Sequence, residues 1–246
     1  AQPHVYPNDL SEIKIPLPSV SVQKKIVDEI NKLDKEVYKQ RAIIDNFEKE
    51  KDSIIDKCFN SSYELEALGN LTDIYNGGTP DTSNQKYWNG KINWATLVDT
   101  KNKYLNSTQR TITEEGLNSC NATLLPINSV LFSSRATIGN VSISKIEVAT
   151  NQGYKNFVCN HEKLHYEYLY YMLKHEAKNI EKLASGMTYP EVSKNMISQF
   201  KIPLPSLEEQ TTIIEKINIF EKNIIKAKNK IEELKIKKDS VLKKYL

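Results

Sequence analysis

The side chains that could do chemistry here fall into two groups, one without a catalytic pattern and one suited to hydrogen bonding at a surface. His4, His161, His165 and His175 read as surface or internally satisfied histidines, and Cys58, Cys120 and Cys159 lack the paired spacing of a thiolate zinc site. No Gly-rich nucleotide loop, no readable pair of metal carboxylates and no Gly-x-Ser-x-Gly elbow occurs. The Pro-x-Pro segments are Pro16–Pro18 and Pro203–Pro205, neither of which reads as the Asn- or Asp-Pro-Pro-aromatic segment that would hold a flipped base. No catalytic residue, no metal and no cofactor is expected. The second group is Gly77, Gly78, Thr79, Pro80, Lys86, Trp94, Arg135, Asn151, Gln152, Lys155, Ser185, Gly186, Thr188 and Tyr189. These fall in turns or at strand ends. Cations and backbone amides suit phosphates, side-chain amides suit base edges, and glycines let backbone come close. Asn151-Gln152, adjacent amides in a Gly-containing turn, suit adenine edges. Trp88 and Trp94 suit core or hairpin packing better than base contacts, and Arg135 equally suits a structural ion pair.

Such residues need a frame, and the frame is written twice. Ser11-Glu12-Ile13-Lys14-Ile15-Pro16-Leu17-Pro18-Ser19 returns as Ser198-Gln199-Phe200-Lys201-Ile202-Pro203-Leu204-Pro205-Ser206. At the same offset Gln23 falls on Gln210, Ile26 on Ile213 and Lys51-Asp52-Ser53 on Lys238-Asp239-Ser240. A fixed-offset match is an internal repeat. After each Pro-Leu-Pro leader, steps of four and three give Ile26, Ile30, Leu33, Val37, Ile44, Phe47 and Ile54 in one copy. The other has Ile213, Ile217, Phe220, Ile224, Ile231, Leu234 and Val241. Both read as long helices with a heptad seam, N-capped by Ser19 and Ser206, with Ser206-Leu207-Glu208-Glu209 as a capping box. A parallel pairing would set Lys51 against Lys238, so an antiparallel coiled coil is expected.

Between the helices, Leu65–Asn76 suggests a short helix or turn leading into a strand, and Tyr87–Trp94 a hairpin or loop turning at Asn89-Gly90, then a strand. Thr111–Leu117 reads as a short capped helix. Ser129–Arg135, Ile138–Ile143 and Tyr154–Val158 read as strands, and Tyr166–Lys182 as an amphipathic helix. The fold class is α+β: one mixed domain plus two long helices. The expected divisions are 1–18, a remnant of a preceding domain with its leader; 19–59, the first long helix; 60–197, the central domain; and 198–246, leader and second helix.

With 246 residues and a net charge of +3, the chain has no overall basic excess, so any nucleic-acid site must be a local patch. Few, unspaced cysteines suit a reducing cytosol, and no apolar run approaches membrane-spanning length. A cytoplasmic protein without a membrane partner is expected.

The repeated Lys-Ile-Pro-Leu-Pro-Ser, Gln23 and Gln210, Gly77–Pro80, Tyr87-Trp88-Asn89-Gly90 and Ser185-Gly186-Met187-Thr188 together resemble the specificity subunit of type I restriction-modification systems. The resemblance covers essentially the whole chain, with the first target recognition domain reduced to residues 1 to about 10. It implies a non-catalytic subunit that reads one half of a bipartite site in double-stranded DNA. It also implies recruitment of adenine-methyltransferase subunits into a complex that restriction subunits can join. Two other functions fit less of the sequence: a self-contained DNA-modifying enzyme, and a coiled-coil scaffold with no DNA role. The orphan segment 1–10 and the apolar Ile13, Ile15, Leu17, Leu242 and Leu246 lead to the expectation of a homodimer through the far ends of the helices.

Overall fold

The computed structural model describes residues 15–184 and 190–245. In chain order the elements are α1 (Val20–Phe59), β1 (Leu65–Ala67), α2 (Leu68–Leu71), β2 (Thr72–Asn76), a 3-10 turn (Gln85–Tyr87), β3 (Trp88–Ala95), β4 (Tyr104–Leu105) and β5 (Arg110–Ile112). There follow α3 (Glu114–Asn118), β6 (Val130–Ser133), β7 (Val141–Ser144), β8 (Val148–Thr150), β9 (Tyr154–Cys159), α4 (Tyr166–His175), α5 (Ala177–Lys182), α6 (Lys194–Ser198), β10 (Lys201–Pro203) and α7 (Leu207–Tyr245). Chain contacts divide these into two units, one running up to Glu50 and resuming at Ile219, the other spanning Lys51–Asn218.

The first unit is a pair of helices, and its side-chain partners set the direction. Phe47 stacks on Phe220 at 5.6 Å, Lys238 reaches Asp34 at 2.8 Å, and the Tyr245 hydroxyl donates to Glu29 at 3.0 Å. As the α1 partner steps back along the chain the α7 partner steps forward, so the helices run antiparallel, as the seam requires. Ile26, Ile224, Ala227, Ile231 and Leu234 are buried, while Ile30, Leu33, Val37, Ile44, Phe47, Phe220 and Val241 are half-buried. A two-helix seam covers only one side of each apolar residue. Of the residues expected at the far ends, Ile15 and Leu17 are exposed and Leu242 is half-buried, while Ile13 and Leu246 lie outside the described residues.

In the second unit the seam residues meet other elements. There Ile54, Ile55, Ile213, Ile214 and Ile217 belong to the core of the α+β domain, where they join Tyr168, Leu169 and Met172 of α4. Ser206 and Glu209 exchange the bonds of the capping box: the Ser206 N–H donates to the Glu209 carboxylate at 2.9 Å, and the Glu209 N–H to the Ser206 hydroxyl at 3.3 Å. Those bonds to Ser206, backbone and side chain, hold the Glu209 carboxyl below its ordinary range. The repeated glutamine plays the same part in each copy. Gln23 donates to the Pro18 carbonyl at 2.8 Å and Gln210 to the Pro205 carbonyl at 2.9 Å, tying each helix start to its leader.

A five-stranded sheet, β2-β9-β6-β7-β4, forms the middle of this unit, and a three-stranded sheet, β5-β3-β8, lies beside it. Alternation along β6 sends Val130 and Phe132 toward α4 and Leu131 toward Ala95, Leu105, Leu125, Val148 and Tyr154, so both faces of the middle sheet are covered. The leader Lys201–Pro203 forms a small antiparallel sheet with β1. Several details differ from the sequence expectation, among them Thr111 and Ile112, which lie in β5 rather than in the helix that follows. Asn89-Gly90 is not a hairpin turn but a bulge inside β3, where Asn89 takes φ 61° and the register against β5 shifts between Trp88 and Ile92. The helix over Tyr166–Lys182 breaks into α4 and α5. And α4 is buried on every side from Tyr168 to Leu173, because the sheet and the helix ends enclose it.

Candidate nucleic-acid interface

Strand register gathers the loops. Asn76 at the end of β2 pairs with Lys155 near the start of β9, Ser133 at the end of β6 pairs with Tyr154, and Ala95 at the end of β3 pairs with Thr150. The segments 77–80, 134–135 and 150–153 therefore meet at one end of the sheets.

Gly77 and Gly78 are bonded into this junction. The Gly77 N–H donates to the Tyr154 carbonyl at 3.2 Å and the Gly78 N–H to the Thr150 carbonyl at 2.9 Å. A Cβ on Gly77 would lie 1.7 Å from the Asn151 carbonyl oxygen, and one on Gly78 would lie 2.4 Å from the Ala122 nitrogen. Glycine is required at both by backbone contact. The Thr79 hydroxyl donates to the Gln152 side-chain oxygen, joining the two loops; Gln152 is exposed, Thr79 half-buried and Pro80 buried. Asn151 closes its own turn by accepting from the Gly153 N–H at 3.0 Å. Asn156, one strand position beyond Lys155, donates to the Thr150 hydroxyl at 2.7 Å.

Arg135 and Lys155 stand on the other side of the same junction. The Ser134 N–H donates to the Gly153 carbonyl at 2.8 Å, and the backbone of Arg135 forms an isolated antiparallel β-bridge with that of Glu191. Lys155 is 4% exposed and reaches Glu191 at 3.0 Å and the Ser134 hydroxyl at 3.3 Å. Trp94 is 3% exposed, with its indole N–H donating to the Gly78 carbonyl at 3.0 Å. Trp94 and Lys155 are thus buried and internally engaged, a geometry of support beneath the loops rather than direct contact. The physical reason lies in neighbours far apart in sequence. Lys86 is exposed on the 3-10 turn; its described bonds are backbone ones to Asn84 and Thr113, and they do not bring it to the junction. Ser185, Gly186, Thr188 and Tyr189 lie outside the described residues.

One cation that sequence reasoning missed stands at this end. Arg110 is exposed on β5, with its guanidinium 3.7 Å from the centre of the Trp88 ring and 5.3 Å from that of Trp94. The two indoles meet edge to face at 5.1 Å, and the Trp88 N–H donates to the Asp81 carbonyl at 3.1 Å. The pair thus holds the turn from Gly78 to Asp81 by two carbonyls. No sequence signal marks Arg110, because the tryptophan it lies on is set by the bulge in β3.

Among the described residues the histidines and cysteines build no centre. His161-Glu162-Lys163-Leu164-His165 does satisfy the His-Glu-x-x-His spacing, but it forms a turn ahead of α4 rather than a helix face. His165 Nδ1 accepts the Glu167 N–H at 3.2 Å as the helix cap, and among the described residues no cluster able to hold a metal occurs. Burial raises the Cys159 thiol to about 12, and burial likewise raises the Tyr154 phenol to about 12 although it shares a 2.5 Å bond with Thr100.

In sequence and in overall fold the chain matches known proteins. A family model described as the type I restriction modification DNA specificity domain matches residues 60–235, and the chain belongs to that family. It is 32% identical over 177 residues to the type I restriction enzyme MjaIX specificity subunit of Methanocaldococcus jannaschii, covering 70% of this chain and 40% of that protein. To the EcoR124I/EcoR124II specificity subunit of Escherichia coli it is 26% identical over 231 residues, 87% of this chain and 57% of that one. The chain thus spans about half the length of these relatives. The fold is that of the HsdS subunit from Thermoanaerobacter tengcongensis, with a TM-score of 0.65 at 21% identity over 99% of this chain and 62% of the other. A chain solved in work on assembly and conformational transition of the type I R-M system gives 0.69 at 21% identity, over 99% of this chain and 63% of that one. Among the described residues no helix is long and apolar enough to cross a membrane.

Proposed function

We propose that this chain is a sequence-specific DNA-recognition and assembly subunit of a type I restriction-modification complex, non-catalytic itself and cytoplasmic. The observation that carries the reading is the convergence of the Gly77–Pro80, Ser134-Arg135 and Asn151–Gly153 loops at one end of the sheets, in a chain of this family. Exposed Gln152 and half-buried Thr79 are the side chains best placed for base edges, and half-buried Arg135 and Asn151 flank them. Trp94 and Lys155 hold the loops from beneath. Lys86 serves as a more distant phosphate contact, and Ser185, Gly186, Thr188 and Tyr189 keep their expected role in DNA binding.

In this reading residues 60–197 are the recognition domain and read one half of a bipartite site. The helices 19–59 and 198–246 recruit adenine-methyltransferase subunits, and restriction subunits join through them. A homodimer is the finer form of the proposal, supported by the exposure of Ile15, Leu17 and Val20 on the leader and first turn of α1.

Binding of the full chain to a randomised duplex library, across a salt series, tests the reading. A selected half-site with affinity falling steeply as salt rises supports it; equal retention of all sequences, or none, refutes it. Light scattering at micromolar concentration tests the dimer, and a monomer refutes that part alone.

A further inference from the structure

Arg110 has a geometry that packing does not require. Its side chain is exposed, its guanidinium lies on the Trp88 face at 3.7 Å, and among the described residues it forms no ion pair. The carboxylate of Asp81 in the adjoining turn is committed to Ser83, accepting from its N–H at 2.9 Å and its hydroxyl at 2.8 Å. Trp88 itself cannot swing, since it is 9% exposed, packed edge to face on Trp94 and bonded to the Asp81 carbonyl. Arg110 in turn sits opposite Trp94 in the β3–β5 register.

A guanidinium held by its face keeps its in-plane N–H groups at the edge, free to donate. The cation–π contact itself is modestly stabilising at an exposed site, and a fork already ordered over Trp88 avoids part of the ordering cost when it meets two coplanar acceptors. The turn beside it, Gly78 to Asp81, is the one whose carbonyls both indoles hold.

We propose that Arg110 is a DNA-contacting residue of the recognition site, presenting its fork to a pair of acceptors on the duplex. The acceptors are either O6 and N7 of a guanine or two phosphate oxygens. The inference rests on the DNA-recognition reading above and assigns it a residue.

The test compares the full wild-type chain with Arg110→Ala and Arg110→Lys, each checked by thermal melt and tryptophan fluorescence, on the same duplex library and salt series. Loss of about 5- to 150-fold on the preferred site in both variants, with relaxed preference at one G·C position, supports guanine as the source. Loss that is uniform across sequences in Arg110→Ala, a salt slope smaller by about one, and partial rescue by Lys support phosphate. Both support the contact. Folded variants with wild-type affinity, base preference and salt slope overturn it. Wild-type chain with no sequence preference overturns the DNA reading itself, a result visible before any variant is made.

Discussion

The α-carbon of Gly77 and the carbonyl oxygen of Asn151 approach so closely that a Cβ on Gly77 would lie 1.7 Å from that oxygen. Two loops separated by about half of the domain's sequence are thereby locked backbone to backbone. Gly77→Ala is expected to cost about 1–3 kcal/mol by forced displacement of the Asn151 loop. At roughly 2–4 °C per kcal/mol for a chain of this size, the melting midpoint should fall by several degrees, and half-site binding should weaken with it. An unchanged midpoint would show that the loops part without cost.

Gln210 and Gln23 offer a matched comparison, since they occupy equivalent places in the repeat. Gln210 is fully buried; it donates to Lys163 and Pro205 and accepts the His165 N–H at 2.8 Å. Gln23 is half-buried, with one bond to its leader. Gln210→Ala is expected to destabilise by about 1–3 kcal/mol because it strands a buried N–H, and Gln23→Ala by less than about 1 kcal/mol. Denaturant melts of the two variants give the difference, and equal losses would contradict it.

Stability should decline as pH falls through the range below about 6.5, partly through His165. Burial lowers its folded-state pKa, Glu167 raises it and Lys145 lowers it, with a net downward shift. A depressed pKa means that the unfolded chain takes up the proton first, so stability present above the unfolded value is lost on acidification. Protonation at Nδ1 would also remove the cap on the Glu167 N–H. His165→Asn keeps a capping oxygen without a titrating ring, so its midpoint should vary less between pH 7 and about 5. Glu167 also has a lowered pKa, with burial opposing the effect of Lys103 and the Tyr104, Lys103 and Asn218 bonds, but its contribution is lost only at more acid pH. Parallel pH profiles would remove His165 from the account.

In the helical unit, Lys238 and Asp34 form a pair of bonds at 2.8 and 2.9 Å. Both side chains are more than a third exposed, so Lys238→Ala should cost less than about 1 kcal/mol. The same proximity makes Asp34→Cys with Lys238→Cys a reporter of helix direction. A short bifunctional thiol reagent should join them within one chain, detected by mass after digestion. Failure to join, with both thiols reactive, would oppose the antiparallel pairing.

Much of this molecule follows from local sequence. Capping at Ser206, the seam from Ile26 to Phe47 and from Phe220 to Val241, and the paired glutamines are set by residues three to seven apart, distances at which helix geometry alone decides who meets whom. The repeat adds that both helices are built alike, and the lysine positions argue their direction. Gly77-Gly78 and Asn151-Gln152 are marked as turns by their own residue types. That these turns meet is a different matter. It depends on β2 lying antiparallel to β9, and β9 beside β6, pairings whose order is settled by burying both faces of a sheet at once. The roles of Trp94 and Lys155 depend on the same pairings, since each is buried by partners, Gly78 and Glu191, that share no local signal with it. Arg110 shows the division most plainly: its sequence context is an ordinary short strand, and it acquires a rigid platform only because the bulge at Asn89-Gly90 turns Trp88 beneath it. Side-chain periodicity acts along the chain, whereas a recognition surface is assembled across strands, where backbone hydrogen bonding and burial choose the neighbours.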